Sequence, residues 1–391
     1  MFTRPVTLSN HYSFFVFGAR GTGKSTLIND QFLPQFPAEE NLCFDLLNPE
    51  IEDLFLRTPS AFKTQILEEK KRRPTLKRIF VDEIQKVPKL LELVHQLIES
   101  HSFQFILTGS SARKLKRGGA NLLAGRAFVF HLYPFSQVEL GTHFDLESAL
   151  SWGTLPQIFS FDHLKEKKRY LEAYALTYIK EEIQSEQILR KLTPFRKFLP
   201  IAAQMNGKIL NFSKIAREIG VDPNTVQTYF QILEDTWVGF ELPAFHSSVR
   251  KSVKKNPKFY LFDPGVKRAL EGTLDVTLHR STSVYGEAFE HWVILECWKR
   301  NSITEKGYQF FYLRTKDDLE IDLILKKANG IIAVEIKSSP KIDPIEVRKM
   351  DKLATDLKVN KSYYLSMDPL PQTIGGTECL HWETGLELLF K

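Results

Sequence analysis

Gly18, Gly21, Gly23, Lys24 and Ser25 stand in the spacing G-x-x-x-x-G-K-S, directly after the apolar run Phe14–Phe17. Each residue type has a task in phosphate chemistry. Glycines let a loop turn its backbone N–H groups toward an anion. Lys24 is spaced to reach the β- and γ-phosphates of a nucleoside triphosphate, and the Ser25 hydroxyl to ligate Mg²⁺. A helix from Thr26 onward would point its positive end at the same anion. With Ala19, Arg20 and Thr22 completing the loop, residues 18–26 are the expected nucleotide-binding segment, and ATP with Mg²⁺ the expected ligands. A second apolar run, Ile79–Val81, ends in Asp82 and Glu83. Asp82 is expected to hold Mg²⁺ through water, and Glu83 to polarise the attacking water as a general base. A third run, FQFILTGSS at 103–111, ends in hydroxyls. Ser110, with Thr108 and Ser111, is placed to orient that water or, on the competing reading, to cap a helix. Arg126 lies between a Leu-rich segment and another apolar run. It serves either a neighbouring subunit's γ-phosphate, which requires an oligomer, or the surface.

A second group of chemically capable residues lies in EIDLILKKANGIIAVEIKSS, residues 320–339. The alternation predicts two strands around an Asn329-Gly330 turn. On that register Ala328 pairs with Ile331, Asp322 with Lys337, and Ile324 with Glu335. Asp322, Glu335 and Lys337 then share one face, and Ile321, Leu323, Ile332, Val334 and Ile336 the core face. Two buried carboxylates need a compensating cation. Mg²⁺ bridging them would acidify a water for attack on a phosphodiester, with Lys337 stabilising it. Glu287 and Glu290 lie one turn apart on a helix expected over 285–301, and share the side on which a further acid of this possible nuclease-like site would stand. The competing readings are an inactive remnant that binds nucleic acid and a self-satisfied ionic cluster.

These residues must be positioned by a chain of 391 residues with ordinary globular composition and a net charge of +6. Strands alternating with helices predict an α/β protein. Three widely spaced cysteines argue against a disulfide framework or a zinc site. The early run SFFVFG is short and leads into glycines, and no apolar stretch reaches bilayer length, so a cytoplasmic protein with no membrane span is expected. Residues 160–205 have helical spacing. KILNFSKIAREIGVDPNTVQTYFQILED, at 208–235, predicts two helices around a Gly220 turn, with Ser213 capping the first and Thr225 opening the second. The second helix offers Gln227 to a base edge but no Lys or Arg. The following stretch supplies Arg250, Lys251, Lys254, Lys255 and Lys258, a basic wing suited to DNA phosphates.

The order GARGTGKST, VDEIQK, LTGSS, LAGR, YPFS resembles the AAA+-type ATPases of a bacterial and archaeal family whose C-terminal half is a domain of uncharacterised function. YPFSQVEL matches that family's P-L-S-F-x-E loosely, departing at Phe135 and Gln137. WGTLPQI (152–158) resembles its Gly-Gly-Leu-Pro stretch with Thr154 in place of a glycine. YIKEEI (178–183) resembles its Tyr-x-x-Asp-Ile element with Glu182 for the aspartate. Residues 285–367, read as αβββαβ with D…E-x-K on the second and third strands, resemble the restriction-endonuclease-like PD-(D/E)xK superfamily, though Ile321 stands where its proline would. The resemblance implies Asp322, Glu335 and Lys337 as core triad and Glu290 as helix acid. Together these readings divide the chain into a P-loop ATPase domain with a parallel sheet (1–140), a helical lid or linker (141–205), a winged helix (206–275) and a nuclease-like domain (276–391). The expected activity is Mg²⁺-dependent ATP hydrolysis that remodels or translocates DNA, in a homo-oligomer for which a hexameric ring is one arrangement. The alternatives are an ATP-gated nuclease and a scaffold NTPase acting on a protein partner.

Overall fold

The computed structural model describes residues 2–111, 123, 125–178, 192–246, 256–315, 317, 319–328 and 330–391. Five strands form one sheet: β1 (Ser13–Phe17), β2 (Asn41–Asp45), β3 (Arg78–Asp82), β4 (Gln104–Gly109) and β5 (Ala127–His131). Their order is β2-β3-β4-β1-β5, and every neighbouring pair is parallel. β1, β3 and β4 are buried along their whole length, as strands covered on both faces must be. Alternate side chains serve two cores. Phe15, Phe17, Val81 and Leu107 pack with Phe62, Ile66 and Val94 of the flanking helices. Phe14, Val16, Phe80 and Ile106 pack with Leu27, Ile28 and Phe32 from the segment after the glycine loop. The C-terminal ends of β1, β3 and β4 therefore open together, where ligands of open α/β sheets bind.

The middle of the chain is helical around a core of its own. Leu155, Tyr174, Phe198, Ile215, Phe230 and Phe259 belong to that core, and Ala19 of the glycine loop joins it. Helices Phe212–Ile219 and Pro223–Asp235 meet at Gly220, which takes the left-handed conformation (φ 74°). Their starts differ from expectation. Asn211 rather than Ser213 caps the first, accepting from Lys214 N at 2.9 Å. The second opens at Pro223 rather than Thr225, with Asp222 as its cap accepting from Thr225 N at 3.0 Å. Both caps sit one position outside the first helical turn, where a side-chain oxygen reaches back to the free N–H groups. An antiparallel pair follows, β6 (Gly239–Leu242) with β7 (Lys258–Leu261). The expected basic residues Arg250, Lys251, Lys254 and Lys255 lie outside the described residues, as do positions 179–183 of YIKEEI.

The C-terminal sheet contains β8 (Gln309–Arg314), β9 (Glu320–Lys327), β10 (Gly330–Ile336), β11 (Lys361–Ser366), β12 (Gln372–Ile374) and β13 (Thr377–His381). Their order is β12-β13-β11-β10-β9-β8. Helix Ser283–Ile303 covers one face and helix Pro344–Asp356 the other. The expected elements are present in the expected order, with β12, β13 and helix Trp382–Phe390 added after them.

The β9–β10 register is two residues from the expected one: Lys327 pairs with Gly330 and Leu323 with Val334. An even slip leaves each side chain on its face, so the face assignment largely survives. Asn360 holds the start of β10. Its Oδ1 accepts from Ile331 N at 2.7 Å, and a Cβ on Gly330 would sit 2.2 Å from that oxygen. One residue does change sides. β9 carries an extra residue against β8, since Phe311 pairs with Ile324 but Leu313 with Ile321. This bulge puts Ile321 in the core with Ile324 and Ala333, opposite Leu323 and Val334.

Candidate nucleotide site and carboxylate–lysine cluster

The glycine loop leaves β1 and closes on itself. Gly21 and Gly23 have φ of 78° and 89°, a region that side chains with a Cβ rarely adopt. Lys24 is buried (5% exposed), and its Nζ donates to Gly18 O at 3.0 Å and Ala19 O at 3.3 Å. The same ammonium lies 3.7 Å from Glu83 Oε1. Ser25 Oγ donates to Asp82 Oδ2 at 2.6 Å, and Thr108 Oγ1 donates to the other carboxylate oxygen. Asp82 is thus gripped by one hydroxyl from the loop and one from β4. Burial pushes its carboxyl up, against these two hydrogen bonds. A divalent cation relieves that cost, so Ser25 and Asp82 fit Mg²⁺ as its protein partners.

Glu83 follows Asp82 with φ 57°, ψ 48°, a left-handed conformation uncommon outside glycine. This turns its carboxylate from the strand direction toward Lys24. Ser110 Oγ donates to Glu83 Oε2 at 2.9 Å, and Gln85 Nε2 donates both to that oxygen and to Ser110 Oγ (2.8 Å). Burial raises the Glu83 pKa, but Lys24 and the bonds from Gln85 and Ser110 outweigh it, leaving the carboxyl below its ordinary value. A carboxylate held ionised beside an ammonium can accept a proton from water, the role expected of a base. Lys24, Ser25, Asp82, Glu83 and Ser110 are therefore one constellation. Arg126 stands apart, with its Nε and Nη2 on Glu99 Oε1 at 2.9 and 2.5 Å.

Sequence reasoning missed four contributors. Gln85 lies within VDEIQK, but no spacing rule assigns it to Glu83. Tyr174 Oη donates to Arg20 O at 2.7 Å, and Tyr170 Oη lies 3.3 Å from the position of a Cβ on Gly21, so the Leu164–Tyr178 helical segment covers the loop. The fourth is Arg4. Its Nη2 donates to Thr22 O at 2.6 Å, and its Nη1 to Tyr133 O at 3.1 Å and Glu139 Oε1 at 2.8 Å.

Residues 133–139 also hold the C-terminal domain. Lys299 Nζ donates to Phe135 O at 2.9 Å, Gln137 N donates to Glu296 Oε2 at 3.1 Å, and Arg300 Nη2 donates to Gln137 Oε1 at 2.6 Å. Thr154 closes the clasp, with its N on Asp263 Oδ2 at 2.7 Å and its O accepting from Phe135 N at 2.9 Å.

The hairpin acids also meet, but around ammonium groups. Asp322 sits at the β9 bulge and accepts from Ile336 N at 2.8 Å. Lys337 Nζ lies 2.5 Å from Glu335 Oε1 and 3.7 Å from Asp322 Oδ2. On the far side Lys258 Nζ lies 2.5 Å from Glu320 Oε1 and 3.6 Å from Glu290 Oε1, while Tyr260 Oη donates to that Glu290 oxygen at 2.8 Å. Lys258 is only 4% exposed, so it is no part of a solvated basic wing. Its strand, β7, delivers it into the C-terminal domain. Among the described residues no three of His, Cys, Asp or Glu are placed to hold one metal ion. Gln227 is exposed.

Burial, then the Asp322 charge, pushes Glu290 up to about 7 and Glu335 up to about 8. Two carboxyls raised in the fold bind protons that the unfolded chain, titrating near 4.3, has already released. Their contribution is therefore lost as pH rises from about 5 to 8. Denaturation midpoints should fall across that window in the wild type, and Glu335→Gln should flatten the fall. Equal slopes in both proteins would refute the assignment.

Two solved structures cover 97% of this chain: Can2 from Sulfobacillus thermosulfidooxidans in complex with cyclic tetra-adenylate (13% identity, 99% of that chain) and protein VC1899 from Vibrio cholerae (11%, 98%). Both have a TM-score of 0.22, too low to support a fold argument. An uncharacterised protein of Mycobacterium tuberculosis H37Rv is 23% identical over 288 residues, 72% of this chain and 63% of the relative, so this chain spans less than two thirds of that relative's length. An uncharacterised Haemophilus influenzae protein is 25% identical over 340 residues, 82% of this chain and 80% of the relative. Residues 285–383 match a domain of unknown function (DUF4143), and residues 143–277 another (DUF8612). Residues 10–141 match the family described as an AAA domain, and with the loop geometry above this supports an AAA-type P-loop ATPase domain at the N-terminus.

Proposed function

We propose that this chain is a Mg²⁺-dependent ATPase that uses hydrolysis to remodel or translocate DNA. The observation that carries the ATPase reading is the convergence of Lys24, Ser25, Asp82, Glu83 and Ser110 at one end of a parallel sheet. The chain's own groups divide the work. Loop amides and Lys24 bind the triphosphate, Ser25 and Asp82 would hold Mg²⁺, and Glu83 takes the proton of the attacking water. The ion, when bound, neutralises charge on the β- and γ-oxygens. Substrate phosphate competes with Glu83 for Lys24, which frees the carboxylate for water. Arg126, in an oligomer, would leave Glu99 for a neighbour's γ-phosphate.

The DNA part rests on the helix pair 212–235 with its antiparallel strands, read as a winged helix, and on the basic stretch 250–255. One observation favours a second reading, a protein partner: the helix carrying Gln227 exposes Asn224, Thr228 and Gln231, and no Lys or Arg lies within 223–235. ATPase rates with and without linear, branched and single-stranded DNA decide between them. Stimulation, and binding that falls steeply with salt, supports DNA. A rate indifferent to every DNA favours a protein partner. An ATP-gated nuclease stays the alternative for the hairpin, where four carboxyls meet two lysines; DNA cleavage with Mg²⁺ would support it and its absence would refute it.

Glu83→Gln separates binding from chemistry. It should retain ATP with near wild-type affinity and lose at least about 10²-fold in kcat, the usual worth of a positioned base. Single-turnover hydrolysis checks this, and an unaltered rate would remove Glu83 from the role.

A further inference from the structure

We infer that Arg4, from the segment preceding the first strand, is a positioning residue that aims a phosphate-binding amide of the glycine loop. The inference rests on the reading of residues 18–26 as a nucleotide site. Arg4 is 8% exposed, and both terminal nitrogens of its guanidinium are engaged. Nη2 holds Thr22 O, Nη1 holds Tyr133 O and Glu139 Oε1, and the plane lies 4.0 Å over the Phe135 ring. Its backbone N donates to Gln31 Oε1 at 3.1 Å, and Gln31 Nε2 donates to Phe2 O at 2.9 Å, which fixes the segment against the helix that follows the loop.

The Thr22–Gly23 peptide is the point of action. It is trans, as are all peptide bonds described. A trans peptide is planar, with its C=O and N–H antiparallel. Clamping the Thr22 carbonyl on the outer side of the loop therefore sets the Gly23 N–H direction on the opposite side. That peptide turns about Thr22 ψ and Gly23 φ, and Gly23, at positive φ with no Cβ, gives it little steric hold of its own. Thr22 itself is fully buried, and its Oγ1 donates to Ala19 O at 2.9 Å, which closes the loop but leaves the carbonyl to Arg4. The ion pair to Glu139 in turn anchors the guanidinium to residues 133–139. A planar fork with fixed donor directions suits this task better than a lysine's point charge.

Tight binding of the β-phosphate is the quantity that should depend on Arg4. Fluorescent-analogue titrations with ADP and AMP on the full chain measure it, because their affinity ratio isolates the β-phosphate and is insensitive to the fraction of folded protein. Wild type should prefer ADP over AMP. Arg4→Met should lower that preference by about 10-fold or more, the worth of a lost hydrogen bond to a charged group. Arg4→Lys, which keeps a charge against Glu139 and so protects the fold, should lower it by a smaller factor. Preference ratios in both variants within twofold of wild type would overturn the Arg4 role while leaving the nucleotide site intact. A wild-type protein that binds neither nucleotide would overturn the site itself, and the Arg4 role with it.

Discussion

Lys24→Ala should leave a folded protein without measurable ATP turnover. The ammonium is the only cation among the described residues shown within 4 Å of Glu83, and it touches both loop carbonyls that frame the phosphate site. Its removal takes away the charge proposed to meet the β- and γ-phosphates and a counter-charge that lowers the Glu83 pKa. Losing one preorganised group that stabilises transition-state charge costs about 10²–10³ in kcat. Here affinity should fall as well, so kcat/KM should drop further. A coupled assay of phosphate release reads the effect. Circular dichroism should show native helix content, because the β1 core of Phe14–Phe17 does not involve Lys24. Wild-type hydrolysis in this variant would refute the site.

Lys258→Met should strongly destabilise the C-terminal half. The ammonium is buried between Glu290 and Glu320, and Asp322 adds to the field that, against burial, holds it protonated. Breaking a buried pair from one side leaves an uncompensated charge and costs about 3–5 kcal/mol. Three controls define the cause. Lys258→Arg should lose far less, since the charge remains. Combining Lys258→Met with Glu290→Gln should recover part of the loss, by the coupling expected of contacting residues. The penalty should also shrink at pH 5–6, where Glu290, titrating at about 7 in the fold, takes up a proton and no longer needs a counter-ion. Urea denaturation at pH 5.5 and pH 8 tests all three. An equal penalty at both values would refute the electrostatic account.

Local patterns were the legible part of this protein. Apolar runs followed by glycines, acids or hydroxyls gave β1, β3 and β4 with their functional tips, because a buried parallel strand and its loop are contiguous in sequence. The hairpin was legible as a pair of strands but not in register. An Asn-Gly pair signals a tight turn, but the start of β10 is also held by Asn360, on the far side of a helix and about thirty residues later in sequence, which no local pattern announces. The bulge at Asp322 was hidden for the same reason: it is defined against β8, not by β9 alone. Lys258 read as one more member of a basic stretch, since nothing in its neighbours shows that β7 carries it into another domain. Arg4 carried no signal, because its partners lie 18, 129 and 135 residues away. Phe135, Gln137 and Thr154, which depart from the resembled motifs, do have a structural account. Each touches Arg4, Glu296, Lys299, Arg300 or Asp263.

The clasp at residues 133–139 has an evolutionary corollary. Its amide and carbonyl groups are satisfied from both sides, by the extreme N-terminus and by a helix some 160 residues downstream. Shuffling either half onto a foreign partner by recombination would strand those groups without mates. Descent should therefore have transmitted the halves as one heritable block, with substitutions at 135, 137 and 154 tracking those at 296, 299 and 300.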